Sequence, residues 1–128
     1  MFLWIIGIFN LGVVVNLFFK NIWGRARPGD ILQLGGKENF TPWHQISGAC
    51  ANNCSFVSGD AAVGFSLIAL YFLTKRIVYF WSSLFFGFSI GLVRVMEGGH
   101  FVSDVVMAAV VLYLSCYFQM KYYFKKYD

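Results

Sequence analysis

The chain has 128 residues and a net charge of +4, with 59% hydrophobic, 20% aromatic and only 12% charged residues. A soluble domain carries about 25% charged residues, so half that share cannot cover the surface of so small a protein. The composition excludes a disordered chain, a collagen-like chain, a coiled coil and an ordinary cytosolic domain, and it predicts a membrane protein. The cations stand at the ends of apolar segments, which indicates membrane topology and a phosphate site rather than nucleic-acid binding.

Apolar segments predict an all-α fold, an integral-membrane bundle of four transmembrane helices in a single domain covering residues 1–128. The helices are predicted at about residues 1–19, 58–74, 77–94 and 99–119. The first segment would extend about 28 Å as a helix, close to the thickness of a bilayer core. It lacks the basic start and the cleavage site of a signal peptide, so it is interpreted as a spanning helix.

The polar residues 20–57 predict one long loop outside the membrane, because they hold both prolines and several glycine turn signals. Lys75 and Arg76 lie one predicted membrane crossing away from this loop. The C-terminal lysines Lys121, Lys125 and Lys126 are predicted on the same side as Lys75 and Arg76. The positive-inside rule makes that side cytoplasmic, so the loop faces outward. Five outer-side cations break the rule and invite a functional explanation: Lys20, Arg25, Arg27, Lys37 and Arg94.

The two loop cysteines, Cys50 and Cys54, are four residues apart in the polar stretch. Two cysteines do not form a zinc site without two further ligands. A disulfide on the oxidising side of the membrane is the favoured interpretation. Two unpaired thiols are the alternative, because so short a bridge needs a particular backbone geometry.

Three separate segments, residues 20–28, 55–60 and 94–104, place polar side chains at predicted outer helix ends. Three of these side chains are cations, and an arginine can bind phosphate oxygens bidentately: Lys20, Arg27 and Arg94. Ser58 and Gly59 begin a helix, where backbone N–H groups can point at an anion. The sequence therefore predicts a phosphate site at this end of the bundle.

His100 and Asp104 are four residues apart on the last predicted helix and so share one face. A carboxylate there can accept a proton from one imidazole nitrogen and leave the other nitrogen free to attack. An acid inside a membrane is costly without such a partner. A hydrogen bond that only packs two helices together is the alternative for this pair.

Together the three segments resemble the signature of the type-2 phosphatidic acid phosphatase family, which are integral-membrane lipid phosphate phosphatases. The order is a lysine followed by Arg-Pro, then Ser-Gly, then an arginine with His-x-x-x-Asp. The resemblance implies that Lys20, Arg27 and Arg94 bind the phosphoryl oxygens and that Ser58 and Gly59 add hydrogen bonds. It implies His100 as the nucleophile that forms a phosphohistidine and Asp104 as its orienting group, with no metal and no other cofactor.

The chain departs from this family at the middle motif and in length. Family members carry a histidine after Ser-Gly that protonates the leaving group, and Asp60 stands there instead. Asp60 can take that catalytic role only while it is protonated, and His44 is a candidate substitute. Members with this topology have six spanning helices, so a chain with four is expected to be truncated before Met1.

The predicted function is metal-independent hydrolysis of a lipid phosphate or diphosphate at the outer membrane face. The predicted partners are the bilayer and the lipid substrate, with no nucleic acid, and the predicted location is a bacterial inner membrane with a periplasmic active site. Phe40, Trp43 and the cysteine loop are expected to form a lid or an interfacial anchor. The alternatives are an inactive phosphate-binding or helical subunit and a small transporter or channel.

Overall fold

The computed structural model describes residues 7–125, so residues 1–6 of the first predicted helix and Lys126 lie outside it. Five longer helices follow one another: α1 Phe9–Ile22, α2 Gly59–Phe65, α3 Ile68–Thr74, α4 Ile77–Met96 and α5 Val102–Lys125. Two short 3₁₀ helices, Pro28–Asp30 and Leu32–Leu34, lie in the loop between α1 and α2. Within residues 7–125 no β-strand forms, and Ile31 and Glu38 make one isolated bridge. The predicted all-α class is confirmed for this part of the chain.

Two of the helices are long and apolar enough to cross a membrane. They are Ile77–Met96, with a mean hydropathy of 1.5, and Val102–Tyr123, with 1.6. The apolar helices Phe9–Ile22 and Gly59–Thr74 are shorter. Most of α1, from Phe9 to Phe19, is a wide π-helix.

The predicted helix at 58–74 is divided in two because Ser66 interrupts its hydrogen bonding. The Ser66 hydroxyl donates to the main-chain oxygen of Val63 at 2.6 Å, and a hydroxyl that bonds back in this way bends a helix. The Ala69 N–H then bonds to the Ser66 oxygen, three residues back, instead of continuing the α-helical ladder. The short segments α2 and α3 result.

The inner face of α4 consists of small residues at every fourth position: Ser83, Gly87 and Gly91. A Cβ on Gly87 would overlap the Phe65 ring of α2, and a Cβ on Gly91 would overlap the Val105 side chain of α5. Large apolar side chains on the other faces are exposed: Trp81, Phe85, Phe86 and Leu92. Close packing of small residues with large apolar groups outside is typical of helices in lipid.

The interior of the bundle is a cluster of apolar side chains from α1, α2, α5 and the end of the loop. Its fully buried members are Val15, Phe56, Val57, Ala61, Ala62, Phe65, Val105, Ala108 and Leu112. Asn10 is also buried, because its side-chain oxygen accepts hydrogen bonds from Ser115 and Gln119 of α5. These bonds satisfy the polar group that interrupts the first apolar segment.

The loop between α1 and α2 folds back onto the helix ends. The Ser47 N–H donates to the Trp23 oxygen at 2.8 Å, and the Cys50 N–H donates to the Gly24 oxygen at 3.0 Å. The Gly29 N–H donates to the Gly98 oxygen in the turn between α4 and α5, at 3.2 Å. The loop therefore covers the end of the bundle where α1 and α4 end and α2 and α5 begin.

Candidate active site

His100 is buried, with 2% of its surface exposed, in the turn just before α5. Its Nδ1 lies 2.7 Å from the main-chain oxygen of Ser55. Because a carbonyl oxygen only accepts, Nδ1 carries the proton in this bond, and the neutral ring keeps its lone pair on Nε2. Among residues 7–125 no hydrogen-bond partner occupies Nε2, which leaves this nitrogen available to a ligand.

Asp104 is fully buried one turn into α5, and its carboxylate has several donors. It accepts hydrogen bonds from Arg25, from the Ser55 hydroxyl and, at 2.9 Å, from the Phe101 N–H. The distance from its Oδ2 to Nδ1 of His100 is 3.8 Å, longer than a hydrogen bond. The spacing predicts a direct hydrogen bond between His100 and Asp104. In the structure, Ser55 bonds to both residues instead.

Arg25 is the buried cation that neutralises Asp104, and sequence reasoning missed it as a site residue. It is 2% exposed and also donates to Thr41 at 2.8 Å and Ser103 at 2.9 Å. Its guanidinium lies 4.1 Å from the centre of the Phe101 ring. The signal for it was present, because a buried intramembrane acid requires a cation and Arg25 lies in the first motif segment.

Lys20 and Arg27 meet at Asn53, a second residue that sequence reasoning missed. The Lys20 ammonium donates to the Asn53 side-chain oxygen at 3.0 Å. The Arg27 guanidinium donates to the Asn53 main-chain oxygen at 3.0 Å. Asn53 has a left-handed backbone, with φ of 51°, and presents both oxygens to the two cations.

Ser58 and Gly59 lie beside these cations at the start of α2. The Ser58 hydroxyl caps α2 by accepting from the Ala61 N–H at 3.4 Å, and the Ser58 N–H donates to the Asp104 main-chain oxygen at 3.2 Å. A Cβ on Gly59 would lie 3.1 Å from the Lys20 ammonium nitrogen. Glycine therefore leaves room for the lysine to approach the backbone.

The electrostatics of Lys20 reflect this crowding, since it directly follows the apolar part of α1. The charged side chains that act on the Lys20 ammonium group are Arg27, Arg94 and Asp60, so two cations outweigh one carboxylate around it. An excess of positive charge of this kind favours the binding of an anion between the cations.

Arg94 and Asp60 form an ion pair at the rim of the site. The Arg94 Nε lies 2.9 Å from the Asp60 carboxylate, and its Nη1 lies 2.8 Å from Glu97. About half of each side chain is exposed, 42% for Arg94 and 46% for Asp60. The structure thus joins the second and third motif segments through this pair.

The loop carries the remaining predicted residues. Cys50 and Cys54 form a disulfide, with 5.6 Å between their Cα atoms, and Asn53 lies inside the ring that it closes. Phe40 packs edge-on against Phe101, next to Arg25. His44 is exposed and contacts the neighbouring Trp43 ring, and within the described residues it bonds to no predicted site residue.

A bundle with a buried histidine beside clustered cations matches a known class of membrane proteins. The model of the PAP2 superfamily matches residues 2–128, so the chain belongs to this superfamily. The resemblance to type-2 phosphatidic acid phosphatases is confirmed.

The chain is similar to proteins that are named lipid A 4'-phosphatase. It is 44% identical over 108 residues to the one from Francisella tularensis subsp. novicida, a match that covers 81% of this chain and 49% of that protein. It is 37% identical over 98 residues to the one from Rhizobium leguminosarum, covering 74% of this chain and 42% of the relative. The chain thus spans less than half the length of these relatives. No solved structure matches it.

Proposed function

We propose that this chain hydrolyses a lipid phosphate without a metal ion, through a phosphohistidine on His100. The observation that carries the proposal is the bond from Nδ1 of His100 to the Ser55 oxygen, which leaves Nε2 without a hydrogen-bond partner among residues 7–125. The cations Lys20 and Arg27 converge on one residue, Asn53, whose oxygens occupy the positions that phosphoryl oxygens would take. A nucleophile and an anion cradle at one end of the bundle support phosphoryl transfer.

The proposed reaction has two steps. The Nε2 lone pair attacks phosphorus, the bond from phosphorus to the lipid oxygen breaks, and that oxygen takes up a proton. Water then attacks the phosphohistidine, which releases inorganic phosphate and restores the neutral ring. Lys20, Arg27 and Arg94 stabilise the charge that spreads over the phosphoryl oxygens, with hydrogen bonds from Ser58 and Gly59.

The proton for the leaving lipid is assigned to Asp60 in this proposal. Its position after Ser58 and Gly59 places it at the edge of the cradle, where it contacts Arg94. A carboxyl group gives a proton only while it is protonated, so this step is hardest for a lipid alcohol and easiest for a diphosphate, whose leaving phosphate departs unaided.

The substrate class and the membrane arrangement are also proposed. The relatives named lipid A 4'-phosphatase favour a phosphorylated glycolipid as the substrate. We assign four membrane crossings to α1, the pair of α2 and α3, α4, and α5, with the loop and active site on the periplasmic side of a bacterial inner membrane. A site at the helix ends suits a substrate whose acyl chains remain in the bilayer.

The two histidines of the chain allow a matched test of this function. Membranes that contain the full chain are assayed for phosphate release from lipid A and from a short-chain phosphatidate, as wild type, His100→Ala and His44→Ala. We expect His100→Ala to abolish turnover and His44→Ala to change it less than about twofold, because His44 is exposed and outside the site.

Labelling of the protein by a radioactive phosphate ester should be acid-labile, base-stable and absent in His100→Ala. Turnover that persists in His100→Ala would remove His100 from the mechanism. A wild-type chain that binds phosphate but releases none would instead favour the alternative of an inactive phosphate-binding protein.

A further inference from the structure

The loop encloses a cleft of about 440 Å³ that no step of the proposed reaction uses. Ligand sites have volumes of about 300–1,000 Å³, so the cleft is large enough for a small polar ring. It lies outside the helices, in the part of the chain that covers the active-site end of the bundle. Its walls are formed by Ala26, Asp30, Gly36, Lys37, Glu38 and Cys50.

Two residues of the cleft lie close along the chain to residues of the proposed phosphate cradle. Ala26 stands between Arg25 and Arg27, whose side chains extend to Asp104 and to Asn53. Cys50 begins the disulfide ring that contains Asn53. A ligand with a phosphate at Lys20 and Arg27 would therefore place the adjoining part of its headgroup next to this cleft.

The charged lining of the cleft identifies the chemistry of its ligand. Asp30, Lys37 and Glu38 supply two carboxylates and one ammonium group. Within residues 7–125 no hydrogen bond or ion pair joins these three side chains to other residues, so their bonding capacity remains free for a ligand. These three groups suit hydroxyl and amine groups, which donate to carboxylates and accept from or donate to the charged side chains.

Main-chain contacts, not side-chain packing, hold the cleft open. The N–H groups of Lys37 and Glu38 both donate to the Asp30 oxygen, at 2.9 and 2.8 Å. Gly36 passes so close to the Asp30 main chain that a Cβ would overlap it, and Gly35 has a φ of 91°. This frame fixes the cleft before a ligand arrives, which lowers the entropic cost of binding.

A bound divalent cation is a less suitable occupant than a sugar. Within the described residues no group of three or more His, Cys, Asp or Glu side chains gathers at one point, here or elsewhere. Ca²⁺ requires six to eight oxygen ligands, and Lys37 would repel it from the cleft. The two carboxylates are therefore better matched to hydroxyl donors.

We propose that this cleft is a headgroup subsite that binds a sugar ring of a phosphorylated glycolipid while its phosphate occupies the cradle. The proposal rests on the proposed function and deepens it, because it names the part of the chain that recognises the substrate class. Glu38 accepts hydrogen bonds from sugar hydroxyls, and Lys37 donates to ring oxygens. Substrates that lack a sugar gain nothing from the cleft.

The test compares two substrates in the full chain. Glu38→Gln and Lys37→Met are assayed on lipid A and on phosphatidate, with Lys75→Met as the matched control, since Lys75 lies at the far end of the bundle between α3 and α4. We expect KM for lipid A to rise about tenfold in the first two variants, as for loss of a hydrogen bond to a charged group. We expect KM for phosphatidate to remain unchanged in these two variants. In Lys75→Met, KM should remain unchanged for both substrates.

Three results overturn the subsite. They are equal changes on both substrates, no change on either, and a wild type that hydrolyses phosphatidate while rejecting lipid A. The last result would leave phosphatase activity standing and remove only the sugar site.

Binding of lipid A to His100→Ala in detergent, measured by calorimetry, tests the subsite independently of turnover. Glu38→Gln in that background should weaken binding about tenfold, and unchanged affinity would again refute the proposal. If no substrate is turned over but this loss of affinity is seen, the proposed function fails and the sugar site remains.

Discussion

Arg25 and Asp104 form a buried ion pair that ties the loop to the start of α5. Both side chains are at most 2% exposed, and the aspartate also holds Ser55, whose carbonyl accepts from His100. Removing one member of such a pair leaves an uncompensated charge in the interior. The pair therefore links the stability of this region to the orientation of the His100 imidazole.

Replacing Arg25 by methionine should destabilise the protein by about 3–5 kcal/mol, because the Asp104 carboxylate loses its buried counter-charge. Thermal unfolding in detergent measures the effect, with the exposed Arg76→Met as the control. The double variant Arg25→Met/Asp104→Asn should recover part of the loss, since neither charge is then stranded. An Arg25→Met variant as stable as Arg76→Met would show that the ion pair contributes nothing.

In the proposed mechanism, Asp60 is the residue that protonates the leaving group. Its carboxylate accepts from Arg94, so it is a poor proton donor, whereas a histidine at this position can donate. Asp60→His should raise turnover of a lipid monoester relative to a matched diphosphate, and it should move the monoester optimum to higher pH. If the ratio of monoester to diphosphate turnover and the pH optimum do not change, Asp60 is not the acid.

At the scale of the helix, the small inner face of α4 determines how closely it packs on α2. Gly87→Ala places a methyl group against the Phe65 ring, and overpacking of this kind costs about 1–3 kcal/mol. The control is Gly12→Ala in α1, where the new Cβ has no neighbour within 4 Å. Thermal unfolding in detergent should show a lower midpoint for Gly87→Ala only, and equal midpoints would contradict close α2–α4 packing.

The sequence predicted two long apolar helices close to where the structure has them, because apolar segments of this length have few alternatives in lipid. The helix predicted at 77–94 is Ile77–Met96, and the one at 99–119 is Val102–Lys125. The later start of the last helix follows from Gly98, with φ of 70°, and from the Asp104 side chain, which bonds back to the Phe101 N–H. The break at Ser66 depends on one side-chain rotamer, which apolar periodicity does not reveal.

For the whole molecule, the proposed four crossings place the loop and the turn between α3 and α4 on opposite sides of the membrane. Single cysteines at Gln33 and Lys75 test this, since the native thiols are in a disulfide or buried. An impermeant maleimide should label Gln33→Cys in intact spheroplasts and Lys75→Cys only after lysis. Labelling of both from outside would refute the four-crossing arrangement, and the reverse pattern would invert the orientation.

The sequence by itself determined the membrane character, the all-α class and the residues that carry the superfamily signature, because composition and motif spacing are local properties of the chain. Only the tertiary structure decided their partners: Arg25 on Asp104, Ser55 on His100, Asn53 between Lys20 and Arg27, and Arg94 on Asp60. These pairs join residues from about 30 to 80 positions apart. Which cation neutralises which acid depends on how the loop folds over the bundle, since several nearby cations have the same charge and only their burial and geometry distinguish them.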